Sequence, residues 1–153
     1  MNYRIFINFL LILSGCYLPT HLGMAESAYE AKKYNQAINE YELHIKSRLE
    51  SKSRPDWENP YFYELIIGDI ELEKGNFSEA IIRYKIAEDN KVELERISTR
   101  ILEVGKQQYQ LGIRNNDNIL KKRAIKLLQD NAFRDSELYY WTLDKLVKQI
   151  QDN

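Results

Sequence analysis

A single thiol, Cys16, stands close behind the chain's one long apolar run, Ile5 to Leu13, and is the side chain best suited to covalent chemistry. A cysteine sulfur is nucleophilic as its thiolate, so a lone one can be alkylated or acylated but has no partner for a disulfide within the chain. Other reactive groups are sparse. The only 2 histidines are His21 and His44, and neither has a cysteine or second histidine in helical register to complete a metal site or orient a base. Glu26 and Glu30 lie one helical turn apart and form a candidate acid pair; without a third group, a solvated helix face is the simpler reading. Lys121-Lys122-Arg123 is a short cationic run of the kind a wet convex face carries, too small to hold nucleic acid or lipid. No phosphate loop or nucleophile elbow occurs. The sequence therefore predicts no catalytic residue, no metal site and no bound cofactor, and so no enzyme.

The amino terminus assigns Cys16 its setting. Met1-Asn2-Tyr3-Arg4 carries one positive charge ahead of the apolar run, which is too short to span a bilayer and has the size of a signal-peptide core. Leu13-Ser14-Gly15-Cys16 resembles the lipobox of bacterial lipoproteins. That resemblance implies cleavage before Cys16, a covalent diacylglycerol and acyl chain on its sulfur and amine, a signal peptide over 1–15 and a lipidated tether over 16–20. Two alternatives stay open: an ordinary signal cut after Gly23-Met24-Ala25, and a retained anchor or buried helix. The coincidence of the only cysteine with the end of the only hydrophobic run favours acylation. Several acyl chains anchor firmly where one would not. Tyr17, in place of an aspartate, implies by resemblance to diderm sorting an outer-membrane destination facing the periplasm; in a single-membrane cell the same anchor would hold the outer face.

The elements behind the anchor are helical. Residues 65–87, LIIGDIELEKGNFSEAIIRYKIA, read as one hairpin. Leu65, Ile67, Ile70 and Leu72 recur at helical spacing and predict a buried stripe, with Asp69, Glu71 and Glu73 left in water. Gly75 suits the left-handed residue after a helix, and Asn76 or Ser78, with Glu79 following, suits the next N-cap. Gly68, Ala80 and Ala87 lack bulk and allow two helix backbones to approach.

These residues resemble a tetratricopeptide repeat, in which small and aromatic positions alternate across a helical hairpin. Gly68, Gly75, Phe77, Ala80, Tyr84 and Ala87 keep the family's spacing; Glu71 replaces its usual tyrosine, and no proline closes the unit. An upstream copy shows Ala25, Tyr34, Ala37 and Tyr41 at a constant offset of 43 residues from Gly68, Phe77, Ala80 and Tyr84. Its second helix, from Asn35 to about Leu49, places Ala37, Ile38, Tyr41, Ile45 and Leu49 on one face. Downstream, Gly105 and Gly112 repeat the seven-residue step of Gly68 and Gly75, with a turn that lengthens over Ile113 to Asn118 and a second helix bearing Ala124, Leu127 and Leu128. Between the first two units, Pro55 and Pro60 stop any helix, and Trp57 either packs the linker onto the first hairpin or offers a binding hot spot. Leu138, Trp141, Leu143, Leu146, Val147 and Ile150 mark a last helix that would cover an open solenoid end.

The expected fold is all-α: a short right-handed superhelix of about three hairpins over 21–153, with repeats at about 21–50, 60–90 and 92–131 and a capping helix at about 135–151. The chain is long enough for one core, and a net charge of −1 argues against nucleic acid as partner. The family resemblance implies protein binding along the first helix of each hairpin. Carried over by position, the groove presents Glu26, Tyr29 and Glu30, then Asp69, Leu72 and Glu73, then Lys106, Tyr109 and Gln110. Acidic groups at one end predict a partner segment with a basic portion. The expectation is a lipid-anchored adaptor for proteins of a bacterial envelope complex, for pilus, secretion or outer-membrane assembly. The alternative is a regulator of a cell-wall enzyme or a small-solute-binding accessory. The oligomeric state stays open, and membrane contact is expected through the lipid alone.

Overall fold

The computed structural model describes residues 20–130, together with Asp144 and Lys148. The expected signal peptide, Cys16 and most of the tether lie outside the described residues, as does the expected capping helix apart from Asp144 and Lys148, which are helical and paired at 2.7 Å. Among the described residues there are six principal helices and no strand: α1 His21–Glu30, α2 Tyr34–Glu50, α3 Phe62–Glu73, α4 Phe77–Asp89, α5 Leu94–Arg114 and α6 Asn118–Asp130. None of them is long and apolar enough to cross a membrane. The all-α expectation holds, and the helices follow one another as hairpins. They belong to two compact units, Met1–Ser47 and Arg48–Asn153.

In the first unit, Thr20 caps α1 by accepting from the Gly23 N–H at 3.2 Å. Ala25 and Ala28 are buried on α1, and Ala37, Ile38, Tyr41 and Ile45 on α2, so the apolar stripe read from the sequence is the buried one. Leu49 departs from it. Its side chain, placed on the same face by periodicity, is exposed near the end of α2.

The three hairpin turns share one backbone solution. Lys32, Gly75 and Asn116 have φ of 58°, 78° and 51°. In each case the next N–H reaches the carbonyl five residues back: Lys33 to Ala28 at 2.9 Å, Asn76 to Glu71 at 2.9 Å and Asp117 to Gly112 at 2.7 Å. This closure satisfies carbonyls that a helix end would otherwise leave bare. The end of α4 repeats it, with Lys91 at φ 63° and Val92 donating to Ala87 at 3.0 Å.

Two expectations about turns are corrected. The turn of the third hairpin spans only Asn115 to Asp117, shorter than the Ile113 to Asn118 expected, with Asn116 as its left-handed residue. Gly112 lies inside α5, where a Cβ would stand 2.7 Å from the Lys121 Cγ and 3.0 Å from its backbone nitrogen. Its smallness serves helix contact, so α5 continues beyond it before turning. Similarly, Asn76 precedes α4 but makes no side-chain cap; its amide donates to Glu71 Oε2 at 2.6 Å instead.

The core of the second unit joins Leu65 and Leu72 of α3, Ala80, Tyr84 and Ala87 of α4, Val92, and Ile97, Ile101 and Val104 of α5. Gly68 explains the closeness of α3 and α4, because a Cβ there would stand 2.3 Å from Tyr84 Cε1. Gly105 plays the same part for α5 and α6, with Leu128 Cδ2 at 2.3 Å from the position of an added Cβ. The linker ahead of α3 is held by charge. Arg48 donates from Nε and Nη2 to the two carboxylate oxygens of Glu58 at 2.6 and 2.5 Å, and Arg54 Nη1 donates to the Glu58 carbonyl at 2.8 Å. Trp57, on this cinched loop, is 84% exposed, which overturns the reading of it as packing.

Candidate functional site

The α3 residues expected to line a groove divide by environment. Glu73 is exposed, while Leu72 is 9% exposed and belongs to the core cluster, so it is corrected from groove to core. Glu71, expected in water, is buried too: its carboxylate accepts from Lys74 Nζ at 3.0 Å and from Asn76, which meets the need of a desolvated charge for partners. The periodicity of α3 hid this. Seven of its twelve residues are buried, including Glu64 and Glu71, because helices pack on more than one side of it.

Asp69 is the centre of a polar node rather than a free groove acid. Tyr84 Oη donates to its Oδ1 at 2.8 Å, and Arg100 donates from Nε at 2.9 Å and from Nη2 to Oδ2 at 2.8 Å. One carboxylate thereby ties α3, α4 and α5, with the two-pronged geometry that suits arginine. Burial first, and the Asp69 carboxylate second, hold the Tyr84 phenol well above the ordinary tyrosine range. Arg83 of α4 makes a second bridge, donating to Glu79 at 3.2 Å and to Glu64 at 3.3 Å. Neither Arg100 nor Arg83 was singled out by sequence reading. The one available signal was that four acids, Glu64, Asp69, Glu71 and Glu73, share a helix with no cation of its own, so that any of them that is covered needs one from elsewhere.

On α5, Lys106 is half-buried, 4.0 Å from Glu103, and Gln110 is exposed. Tyr109 is 2% exposed, so it too is corrected from an open groove position to a buried one. Burial raises the pKa of its phenol. Its ring lines a cavity of about 590 Å³ with Ile113, Asn116, Asn118, Lys121, Lys122 and Ile125.

In the first unit, Glu26 and Glu30 are exposed and Tyr29 is half-buried. Tyr29 and Tyr34 stand 6.2 Å apart with the Lys32 ammonium 5.6 and 5.7 Å from their ring centres, a cation–π pair across the turn. Glu26 and Glu30 therefore sit on a wet face. His21 Nδ1 lies 2.7 Å from Glu40 Oε2, which ties α1 to α2. Among the described residues no group of three or more His, Cys, Asp or Glu is arranged to hold a metal ion. Compared with known proteins, the chain matches no protein-family model, no curated protein and no solved structure.

Proposed function

We propose that this chain is a lipid-anchored helical-repeat adaptor, of tetratricopeptide type, which binds protein partners within a bacterial envelope complex. The observation that carries the reading is the repeated hairpin with its closed left-handed turn, packed through glycines at Gly68 and Gly105. Such units leave extended helix faces for a partner and supply no reacting group. Charged side chains on those faces, Glu26, Glu30 and Glu73 among them, give orientation and on-rate. The lipobox-like Leu13-Ser14-Gly15-Cys16 supports attachment of a diacylglycerol and an acyl chain at Cys16, and Tyr17 supports an outer-membrane address.

The test is in-cell crosslinking of tagged wild type against Cys16→Ala. The adaptor reading expects large envelope proteins recovered in stoichiometric amount from the membrane fraction with wild type, and a loss of membrane partition with Cys16→Ala. Recovery of the tagged chain alone, or equal partition of both forms, would remove it. A second reading, a solute-binding accessory, draws on the cavity beside Tyr109. It expects one small solute to raise the melting temperature, where an adaptor gains nothing from solutes.

A further inference from the structure

The cations of the second unit are unevenly matched. Lys74, Arg83, Arg96, Arg100 and Lys106, on or just after α3, α4 and α5, each face a carboxylate within 4.0 Å, while Lys85, Lys91 and Arg114 along the same stretch face none among the described residues. On α6, Lys121, Lys122, Arg123 and Lys126 face none among the described residues. Lys121 lies in the first turn of that helix, where the positive end of the helix dipole already disfavours a cation. Asp117, the nearest acid in sequence, is occupied: its Oδ1 accepts the N–H of Ile119 and of Leu120, both at 2.9 Å. Local stability therefore does not account for this positive charge.

The cavity at the α5–α6 turn gives that charge a shape. Lys121 lays the start of its stem against Gly112, so that its position is set by packing, and the residue lines the cavity. Tyr109 supplies the second observation. It is 2% exposed, it lines the cavity, and among the described residues its hydroxyl has no hydrogen-bond partner. A buried hydroxyl without a partner is costly, and the cavity is the side from which one can come. The amides of Asn116 and Asn118 add further donors, while Ile113 and Ile125 make apolar wall. Among the described residues the lining contains no acid.

We propose that this cavity binds a carboxylate carried next to an aliphatic group, as a glutamate beside a leucine presents in a partner's segment. The Lys121 and Lys122 ammoniums and the Tyr109 hydroxyl take the carboxylate, and Ile113 and Ile125 take the aliphatic part. The identity of the carrier as a protein rests on the adaptor reading; the chemistry of the cavity does not. A free aliphatic acid offers the same groups, and competition between the two tells the sources apart.

The test titrates the full chain, at low ionic strength, with a blocked peptide of alternating glutamate and leucine, with its glutamine counterpart, and with free 4-methylpentanoate. Binding of the glutamate peptide alone, weakened by salt, is expected from a partner segment. Tyr109→Phe should weaken it roughly tenfold, the scale of a hydrogen bond to a charged group, without lowering the melting temperature, because no bond within the fold is lost. Lys121→Gln with Lys122→Gln should weaken it at least as much. Equal or tighter binding of 4-methylpentanoate, with the same loss in Tyr109→Phe, keeps the site and transfers it to a solute, which removes only the adaptor clause. Absence of binding by both acids, undiminished binding in the variants, or capture by phosphatidylglycerol vesicles without capture of either acid would overturn the proposal.

Discussion

Gly68 shows how one absent side chain sets a helix contact. Its would-be Cβ lies 2.3 Å from the fully buried Tyr84 ring, so Gly68→Ala must displace either a helix or an aromatic side chain. The expected loss is about 1–3 kcal/mol, the usual scale of overpacking, measured by urea unfolding. The left-handed turn positions respond in the opposite direction. Lys91 adopts φ 63° on an exposed turn with no contact to lose, so Lys91→Gly should stabilise by roughly 0.5–1 kcal/mol in the same assay. Asn116→Gly should gain less, since asparagine tolerates that region. Gly75 was legible as such a position from sequence because glycine advertises it. The asparagines of the third turn advertise it too, and Asn116 takes it, whereas Lys32 and Lys91 carry no such mark and take it because backbone closure by the preceding helix overrides their intrinsic preference.

Helices α3, α4 and α5 are joined by the Asp69 node, and its parts can be separated. A double-mutant cycle on Asp69→Asn and Arg100→Met should give a coupling of about 1 kcal/mol, modest because both side chains keep some contact with water. Tyr84 adds a dependence on pH. Its folded-state pKa lies above the value of an unfolded chain, so the folded protein holds a proton that the unfolded one releases. Stability is therefore full below about pH 10 and is lost as pH rises beyond it. Tyr84→Phe should start lower, by about 1 kcal/mol for the lost hydrogen bond, and decline less steeply between pH 9 and 11 in urea titrations. The periodic stripe on α3 was readable in advance. Its buried Glu64 and Glu71 were not, because a helix face is assigned as wet or dry only by what packs against it.

Across the chain, charge reversal now distinguishes surface from scaffold. Glu26→Lys with Glu73→Lys should leave the melting temperature within a few degrees and reduce recovery of the crosslinked partner, since both groups are exposed. Asp69→Lys should instead lower the melting temperature, because it sets two cations against one another at the node. Equal effects of both changes on partner recovery, with equal stability, would show that Asp69 is a contact and not a brace. What the order of residues determined by itself was the helical class, the position of the hairpins, the glycines at their contacts and the thiol behind the apolar run. Those are local or periodic properties, carried by propensity and by steps of three and four. Tertiary structure alone decided that Leu72 and Tyr109 are buried, that Asp69 is bridged to Arg100 thirty-one residues away, that Trp57 stands free and that Lys121 and Lys122 line a cavity with Tyr109. Each of these depends on which distant groups share a few ångströms of space, and nothing in the neighbouring sequence encodes that distance.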